Sequence, residues 1–107
     1  MNRGSVYWVN LDPTTGSEIK KTRPCVLIGA TPINQARRAV LIVPLSSRGN
    51  PRPPITLTVR CMGREVLAVC DQIRAVDKAR LLDWVEQIET DSLKAIDLAI
   101  QQVLALV

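Results

Sequence analysis

The sequence predicts a mainly β domain, a small barrel of five to seven mostly antiparallel strands closed by a C-terminal helix. Short apolar runs rich in β-branched residues recur through the first 88 residues, whereas apolar residues at helical spacing are confined to the last segment. Polar stretches with glycine and proline separate the apolar runs, as turns do. The 107 residues suit one domain, residues 1–107, with a single core.

The first two predicted strands flank a charged loop. Residues 6–11 are largely apolar, β-branched or aromatic, and Asp12-Pro13 ends this run because proline cannot donate to a ladder. Residues 23–29 are almost continuously apolar, which is typical of a strand buried on both faces. Between them, residues 16–24 carry three cations and one carboxylate, so a binding site is expected in this segment.

The sequence of the middle of the chain predicts two further strands, one before and one after a long loop. Residues 31–38 form a polar connection with room for one helical turn, and residues 39–43 are an apolar strand. Four prolines and one glycine mark residues 44–54 as a stiff loop. Residues 55–60 then alternate apolar and polar side chains, as a half-buried strand does.

A hairpin and two helical segments complete the prediction. A turn centred on Met62-Gly63 leads into an apolar strand at residues 66–70, which is expected to continue through residue 74. A short helical turn is expected near residues 77–81, before an alternating strand at 83–88.

The last segment reads as an amphipathic helix that Thr90 or Asp91 can cap. Its apolar side chains recur at steps of three and four residues and predict a core-facing stripe made of Leu93, Ile96, Ile100, Val103 and Val107.

Charge is unevenly distributed along the chain. Residues 1–80 carry thirteen Lys and Arg against five Asp and Glu, whereas residues 81–107 carry one against five. A cationic body of this kind favours RNA, DNA or an acidic protein as partner, and scattered solubilising charge is the alternative. No apolar run approaches the ~20 residues of a membrane span, and the N-terminus lacks the apolar region of a signal peptide. A cytoplasmic protein without membrane contact is therefore expected.

The chain has three cysteines and no histidine. Cys25, Cys61 and Cys70 show no C-x-x-C spacing, so we expect them to be small apolar side chains buried in the core. We expect no metal ion and no other cofactor. Without histidine, the usual general base at neutral pH is missing. RNA carries its own nucleophile, the 2′-hydroxyl, so an enzyme need only orient the attack and stabilise the charge on the phosphorane. A guanidinium suits both tasks because its fork donates two hydrogen bonds to phosphate oxygens.

Six short motifs, in this order, resemble those of the MazF/PemK (Kid) toxins of bacterial toxin–antitoxin systems. They are Arg3-Gly4 before a strand with Trp8-Val9, Leu11-Asp12-Pro13-Thr14, Gly16-Ser17-Glu18, Thr22-Arg23-Pro24, Val43-Pro44 before a hydroxyl pair, and Asp71-Gln72-Ile73-Arg74. The resemblance implies an SH3-like barrel that forms a homodimer and is inhibited by a cognate antitoxin. It also implies a metal-independent endoribonuclease that cuts single-stranded mRNA at a short sequence by 2′-hydroxyl attack. DNA binding is then expected only through the antitoxin complex.

The resemblance implies four catalytic candidates. Arg23 matches the arginine assigned to acid catalysis and phosphate stabilisation, and since its pKa lies above ~12 we expect charge stabilisation to be the larger part. Ser46 stands where the family most often has threonine, and its hydroxyl can bind the scissile phosphate. Glu18 and Asp71 are alternative bases. Asp71 matches the base of the Kid branch, but Val69 stands where that branch has its acid arginine.

Further side chains on the flanking loops are expected to contact RNA. They are Lys20, Lys21, Thr22, Ser47, Arg48, Arg52 and Gln72. The structural alternatives are an ion pair for Arg23, loop capping for Ser46 and Ser47, and bracing of the site for Gln72. Of the first two aromatic residues, Trp8 is expected to pack in the core, and Tyr7 is left to stack a base.

Two other functions remain open on the sequence. A toxin of the CcdB group has the same fold and binds gyrase, but the Trp-Gly-Ile ending of that group is replaced here by Leu-Ala-Leu-Val. A plain RNA-binding barrel is the other alternative, although it would not need an arginine beside a hydroxyl-bearing loop.

Overall fold

The computed structural model of the protein describes residues 1–13, 16–19 and 21–106. In chain order, its strands and helices are β1 Ser5–Asn10, β2 Thr22–Leu27, α1 Thr31–Ala36, β3 Ala39–Ser46, β4 Thr56–Cys61, β5 Arg64–Val69, β6 Arg74–Asp77, β7 Leu81–Gln87 and α2 Thr90–Val103. Short 3-10 turns at Cys70–Gln72 and Lys78–Arg80 precede β6 and β7. The predicted mainly β fold with a C-terminal helix is confirmed.

The seven strands form one antiparallel sheet in the order β4-β5-β3-β2-β1-β7, and β6 pairs with the first half of β3. No backbone pairing joins β4 to β7 within the described ranges, so the sheet is left open between these two strands. The turn between β4 and β5 nevertheless reaches β7, because the Met62 amide donates to both carboxylate oxygens of Glu86, at 3.2 and 3.1 Å.

Alternate side chains of the strands enter two apolar clusters on opposite faces of the sheet. The first contains Val6, Val26 and Leu45, and α2 covers it with the fully buried Ile96. The second contains Val9, Cys25, Leu27, Val40 and Ile42. Adjacent residues of one strand therefore belong to different clusters, which explains why the second strand is nearly continuous in apolar residues.

The helix α2 presents the predicted stripe. Ile96 is buried, and Leu93, Ile100 and Val103 pack against the first cluster, whereas Val107 lies outside the described residues. The prediction that Thr90 or Asp91 caps the helix is wrong. Glu89 occupies the capping position and makes no side-chain capping bond.

Two of the differences from the predicted strand boundaries mark a change of pairing partner. Residues 44–46 belong to β3 and not to the following loop. β6 pairs with β3 as far as Ile42 and β5 pairs with it from Leu45, so Pro44 lies where β3 passes from one partner to the other. The expected continuation of β5 through residue 74 is also wrong, because a 3-10 turn lets the chain cross to the first half of β3 as β6.

Arg3 links the start of the chain to α1, to α2 and to the residue that follows β2. Arg3 donates its amide to Thr31 Oγ1 at 2.9 Å and its Nε to the Ile28 carbonyl at 3.0 Å, and its guanidinium pairs with Asp97 of α2. Gly4 has a φ of +88°, which side chains rarely adopt.

The three cysteines are buried, as predicted, and their thiols are free. Burial raises the pKa of the Cys25 thiol from 9.0 to about 12, although the nearby Arg74 guanidinium opposes this increase. Burial likewise raises the pKa values of Cys61 and Cys70 to about 11.

Stability should therefore fall at alkaline pH. Unfolded thiols lose protons above about pH 9, whereas the folded thiols keep them until pH 11 to 12, so the unfolded state binds fewer protons in this window. We expect the free energy of unfolding, measured with urea, to be unaffected by the thiols below about pH 8 and to decline from pH 9 upwards. In the Cys70→Ala protein this decline should be shallower, and an identical slope in both proteins would contradict the assignment.

Candidate functional site

A cavity of about 300 Å³ opens where β1, β2, β3 and the β4–β5 hairpin meet. Its apolar lining includes Trp8, Pro24, Leu45, Cys61, Met62 and Val66. Its polar lining consists of Arg23, Ser46, Ser47, Arg48 and Arg64. The cavity thus combines an apolar wall with three guanidinium groups and two hydroxyls.

Arg23 is the second residue of β2 and pairs with Val9 of the neighbouring β1. Its side chain is exposed, and its Nη1 donates to the Thr22 carbonyl at 3.1 Å. Arg23 lies two residues before Cys25, whose pair with Pro44 is the last of the β2–β3 ladder, and Arg23 and Ser46 line the same cavity. The structure therefore brings together the arginine and the hydroxyl that the sequence predicts for the site.

Ser46 ends β3, and its hydroxyl contacts the following turn. Its Oγ accepts from the Arg48 amide at 3.2 Å and donates to the Arg48 carbonyl at 3.3 Å. The loop-capping role that the sequence left open is thus present, and Ser46 lines the cavity at the same time. Ser47 and Arg48, carried by that turn, are exposed and line the cavity as well.

The predicted carboxylates lie outside the cavity wall, and Glu18 belongs to a second group of residues. Glu18 Oε2 lies 3.3 Å from Arg74 Nη1, and Arg74 Nη2 donates to the Leu11 carbonyl at 3.0 Å. Gln72 Oε1 accepts from the Ile19 amide at 2.8 Å, so Gln72 braces the loop that carries Glu18. Among the described residues that line the cavity, neither Glu18 nor Asp71 appears.

Of the remaining predicted RNA contacts, those that the structure describes are not part of the cavity wall. Lys20 is outside the described residues. Lys21 and Thr22 are exposed just before Arg23, and the Lys21 amide donates to Asp12 Oδ1 at 2.9 Å. Arg52 is exposed in the proline-rich loop, where its amide donates to the Thr56 carbonyl and hydroxyl.

Sequence reasoning missed Arg64 and reversed the roles of the two neighbouring aromatic residues. Tyr7 packs against the second apolar cluster, whereas Trp8 is half-buried and lines the cavity. Arg64 enters the cavity because β5 pairs with the end of β3, next to Ser46. Only a correct strand register could have pointed to it, since no local motif surrounds it.

The described part of the chain contains no group of three or more Cys, Asp or Glu residues placed to hold a metal ion. Within the same ranges, no helix is long and apolar enough to cross a membrane.

Comparisons with known proteins agree with this fold. A family model of PemK-like, MazF-like toxins of type II toxin–antitoxin systems matches residues 2–104. The chain is 35% identical over 85 residues to the endoribonuclease PemK of Escherichia coli, and this match covers 75% of the chain but only 64% of PemK. It is 30% identical over 110 residues to the endoribonuclease MazF9 of Mycobacterium tuberculosis, covering 94% of the chain and 93% of that protein.

Solved structures share the fold at lower sequence identity. The MazF structure from Deinococcus radiodurans superposes with a TM-score of 0.87 at 20% identity, covering 98% of this chain and 96% of that one. A mycobacterial endoribonuclease, solved in complex with its cognate antitoxin, superposes with a TM-score of 0.83 at 18% identity and covers 100% of this chain and 97% of that one.

Proposed function

The chain belongs to the family of PemK-like, MazF-like toxins of type II toxin–antitoxin systems, and from this premise we propose that it is a metal-independent endoribonuclease that cuts single-stranded mRNA at a specific sequence. The observation that carries the proposal is the shared cavity of Arg23, Ser46, Ser47 and Arg48. Cationic forks and hydroxyls around one space are the groups that hold a phosphodiester.

The reaction uses the substrate's own nucleophile. The ribose 2′-hydroxyl attacks the adjacent phosphorus, the bond from phosphorus to the 5′-oxygen breaks, and the products carry a 2′,3′-cyclic phosphate and a 5′-hydroxyl. The 2′-hydroxyl proton passes to a base, and the leaving oxygen takes up a proton. Arg23 has guanidinium donors beyond the one used by the Thr22 carbonyl, and it stabilises the charge that builds up on the phosphorane. Ser46 and Ser47 orient the scissile phosphate.

Glu18 and Asp71 are the candidates for the base. Arg74 fixes the Glu18 carboxylate on the loop that leads to Arg23, so we expect Glu18 to take the proton. The Glu18→Gln change should then lower kcat/KM by about 10²- to 10⁴-fold and abolish the rise of the rate with pH on the acidic side. The Asp71→Asn protein should keep this rise. If Asp71→Asn alone removes it, Asp71 is the base.

The partners proposed for this chain are a cognate antitoxin and a second copy of the chain as a homodimer. The mycobacterial structure pairs an endoribonuclease of this fold with its antitoxin, which supports the first. Lys20, Lys21, Thr22 and Arg52 contact the RNA backbone outside the cavity, and DNA is bound only through the antitoxin complex. The cytoplasm, where mRNA is translated, is the place of action.

The test is cleavage of a long single-stranded RNA by the purified protein in EDTA. Fragments that share one sequence at their ends and carry a 2′,3′-cyclic or 3′-phosphate and a 5′-hydroxyl would support the proposal. Bound but intact RNA would favour an RNA-binding barrel without catalysis. Intact RNA together with inhibited gyrase would favour a gyrase-binding toxin.

A further inference from the structure

We propose that Arg64 binds an RNA phosphate next to the scissile one and thereby seats the adjoining nucleotide against Trp8 and Met62. The inference rests on the proposed ribonuclease function and adds a subsite to it. Arg64 lies outside all six motifs that resemble the toxin family.

The cavity has the size and the lining of a site for a single nucleotide. Its volume of about 300 Å³ lies at the lower end of the ~300 to 1,000 Å³ that small-molecule sites occupy. Trp8 is half-buried in its wall beside the buried Leu45 and Val66. An aromatic face with an apolar surround is the surface on which bases stack.

The charges around the cavity favour a polyanion. Arg23, Arg48 and Arg64 come from three separate elements and line the same space. Across the described residues, none of the three guanidinium groups forms an ion pair with a carboxylate. Three positive charges so placed repel one another, and bound phosphates relieve this repulsion. When Arg23 binds the scissile phosphate, Arg64 remains available for the next phosphate along the RNA.

The hairpin that carries Arg64 is held firmly in place. Met62 and Gly63 form its two-residue turn with φ values of 55° and 73°, the backbone of a type I′ turn. Glu86 of β7 accepts the Met62 amide, and Arg60 Nη2 donates to the Gly63 carbonyl at 3.2 Å. Arg64 therefore projects from a rigid element, which a positioning contact to substrate requires.

The experiment compares Arg64→Ala with Arg37→Ala, which removes an exposed guanidinium at the end of α1, outside the cavity wall. Using a short RNA that contains the cut site, we expect Arg64→Ala to raise KM about tenfold, more than it lowers kcat, because a charge-assisted contact is lost. The slope of log kcat/KM against log salt should become shallower by about 0.7, the value for one phosphate contact in a single strand. Arg64→Lys should restore the slope, because it restores the charge.

Tryptophan fluorescence provides an independent test of whether the base stacks on Trp8. In a Trp84→Phe protein, Trp8 is the remaining tryptophan, and the same RNA with a 2′-deoxy sugar at the cut should quench its emission. Adding Arg64→Ala should shift the quenching curve to higher RNA concentration.

The two proposals fail in different ways. A wild-type protein that leaves RNA intact overturns the ribonuclease function and this subsite with it. A wild-type protein that cuts RNA, with KM and salt slope unchanged in Arg64→Ala or changed equally in Arg37→Ala, overturns the subsite alone. Unquenched Trp8 in the presence of bound RNA overturns the seating of the base.

Discussion

Replacing Arg23 by alanine is expected to lower kcat/KM for RNA cleavage by about 10²- to 10³-fold, the usual effect of removing one preorganised donor to a transition-state oxyanion. The side chain is exposed, and its one hydrogen bond within the described ranges goes to the neighbouring Thr22 carbonyl. Its loss should therefore change the free energy of unfolding by no more than about 0.5 kcal/mol. Single-turnover cleavage of a labelled RNA, with urea unfolding on the same preparation, measures both quantities.

Arg37→Ala is the matched control, because Arg37 is an exposed arginine at the end of α1 and away from the cavity. That protein should cleave at the wild-type rate. Arg23→Lys should be intermediate, since it keeps the charge and loses the two-pronged donor. Cleavage by Arg23→Ala at near wild-type rates would show that another group stabilises the phosphorane.

Replacing Gly4 by alanine is expected to have the largest effect on stability. A side chain at φ +88° is strained, and its Cβ would lie 2.4 Å from Gln87 Nε2 and 3.1 Å from Leu93 Cδ2. Gly4 also donates to the Leu27 carbonyl and accepts from Ile88, so its backbone cannot move without loosening β2 and the end of β7. We expect a loss of about 1 to 3 kcal/mol and a fall in Tm of about 4 to 8 °C for each kcal/mol.

Gly63→Ala separates the strain from the clash. Gly63 also has a positive φ, +73°, but nothing lies within 4 Å of the added carbon. This variant should lose less stability than Gly4→Ala in thermal unfolding. Equal losses of stability in the two variants would mean that backbone strain alone explains both. The Gln87 side chain would then move away from the added carbon at no measurable cost.

Local patterns predicted the β part well because each strand carries its own apolar run and turn residues. They failed at Pro44 and at the turn after Val69, where β3 changes partner and β5 gives way to β6. Proline normally marks the end of a strand, and a polar pair inside an apolar run normally marks an exposed face. Both rules assume that a strand keeps the same pairing partner along its whole length. Which strands pair is decided by the whole sheet, so the sequence of one segment does not reveal a change of partner.

The same reasoning explains the result for the site. Arg23 and Ser46 could be predicted together because each lies in a short recognisable motif. Arg64 could not, because only the pairing of β5 with the end of β3 brings its hairpin to the cavity. The prediction for Trp8 was wrong for a similar reason. The alternation along β1 shows which side chains share a face of the strand, but it does not show how far along the strand each face is covered by other residues.

The position of β1 has a consequence for synthesis of the chain. Residues 5–10 lie between β2 and β7, so the earliest strand to leave the ribosome pairs with the last. Until residue 87 has emerged, one edge of β1 has no strand to pair with. At a translation rate of about 5 to 20 residues per second, this state lasts several seconds. A nascent chain would thus keep this edge of the sheet unpaired until translation of this region is nearly finished.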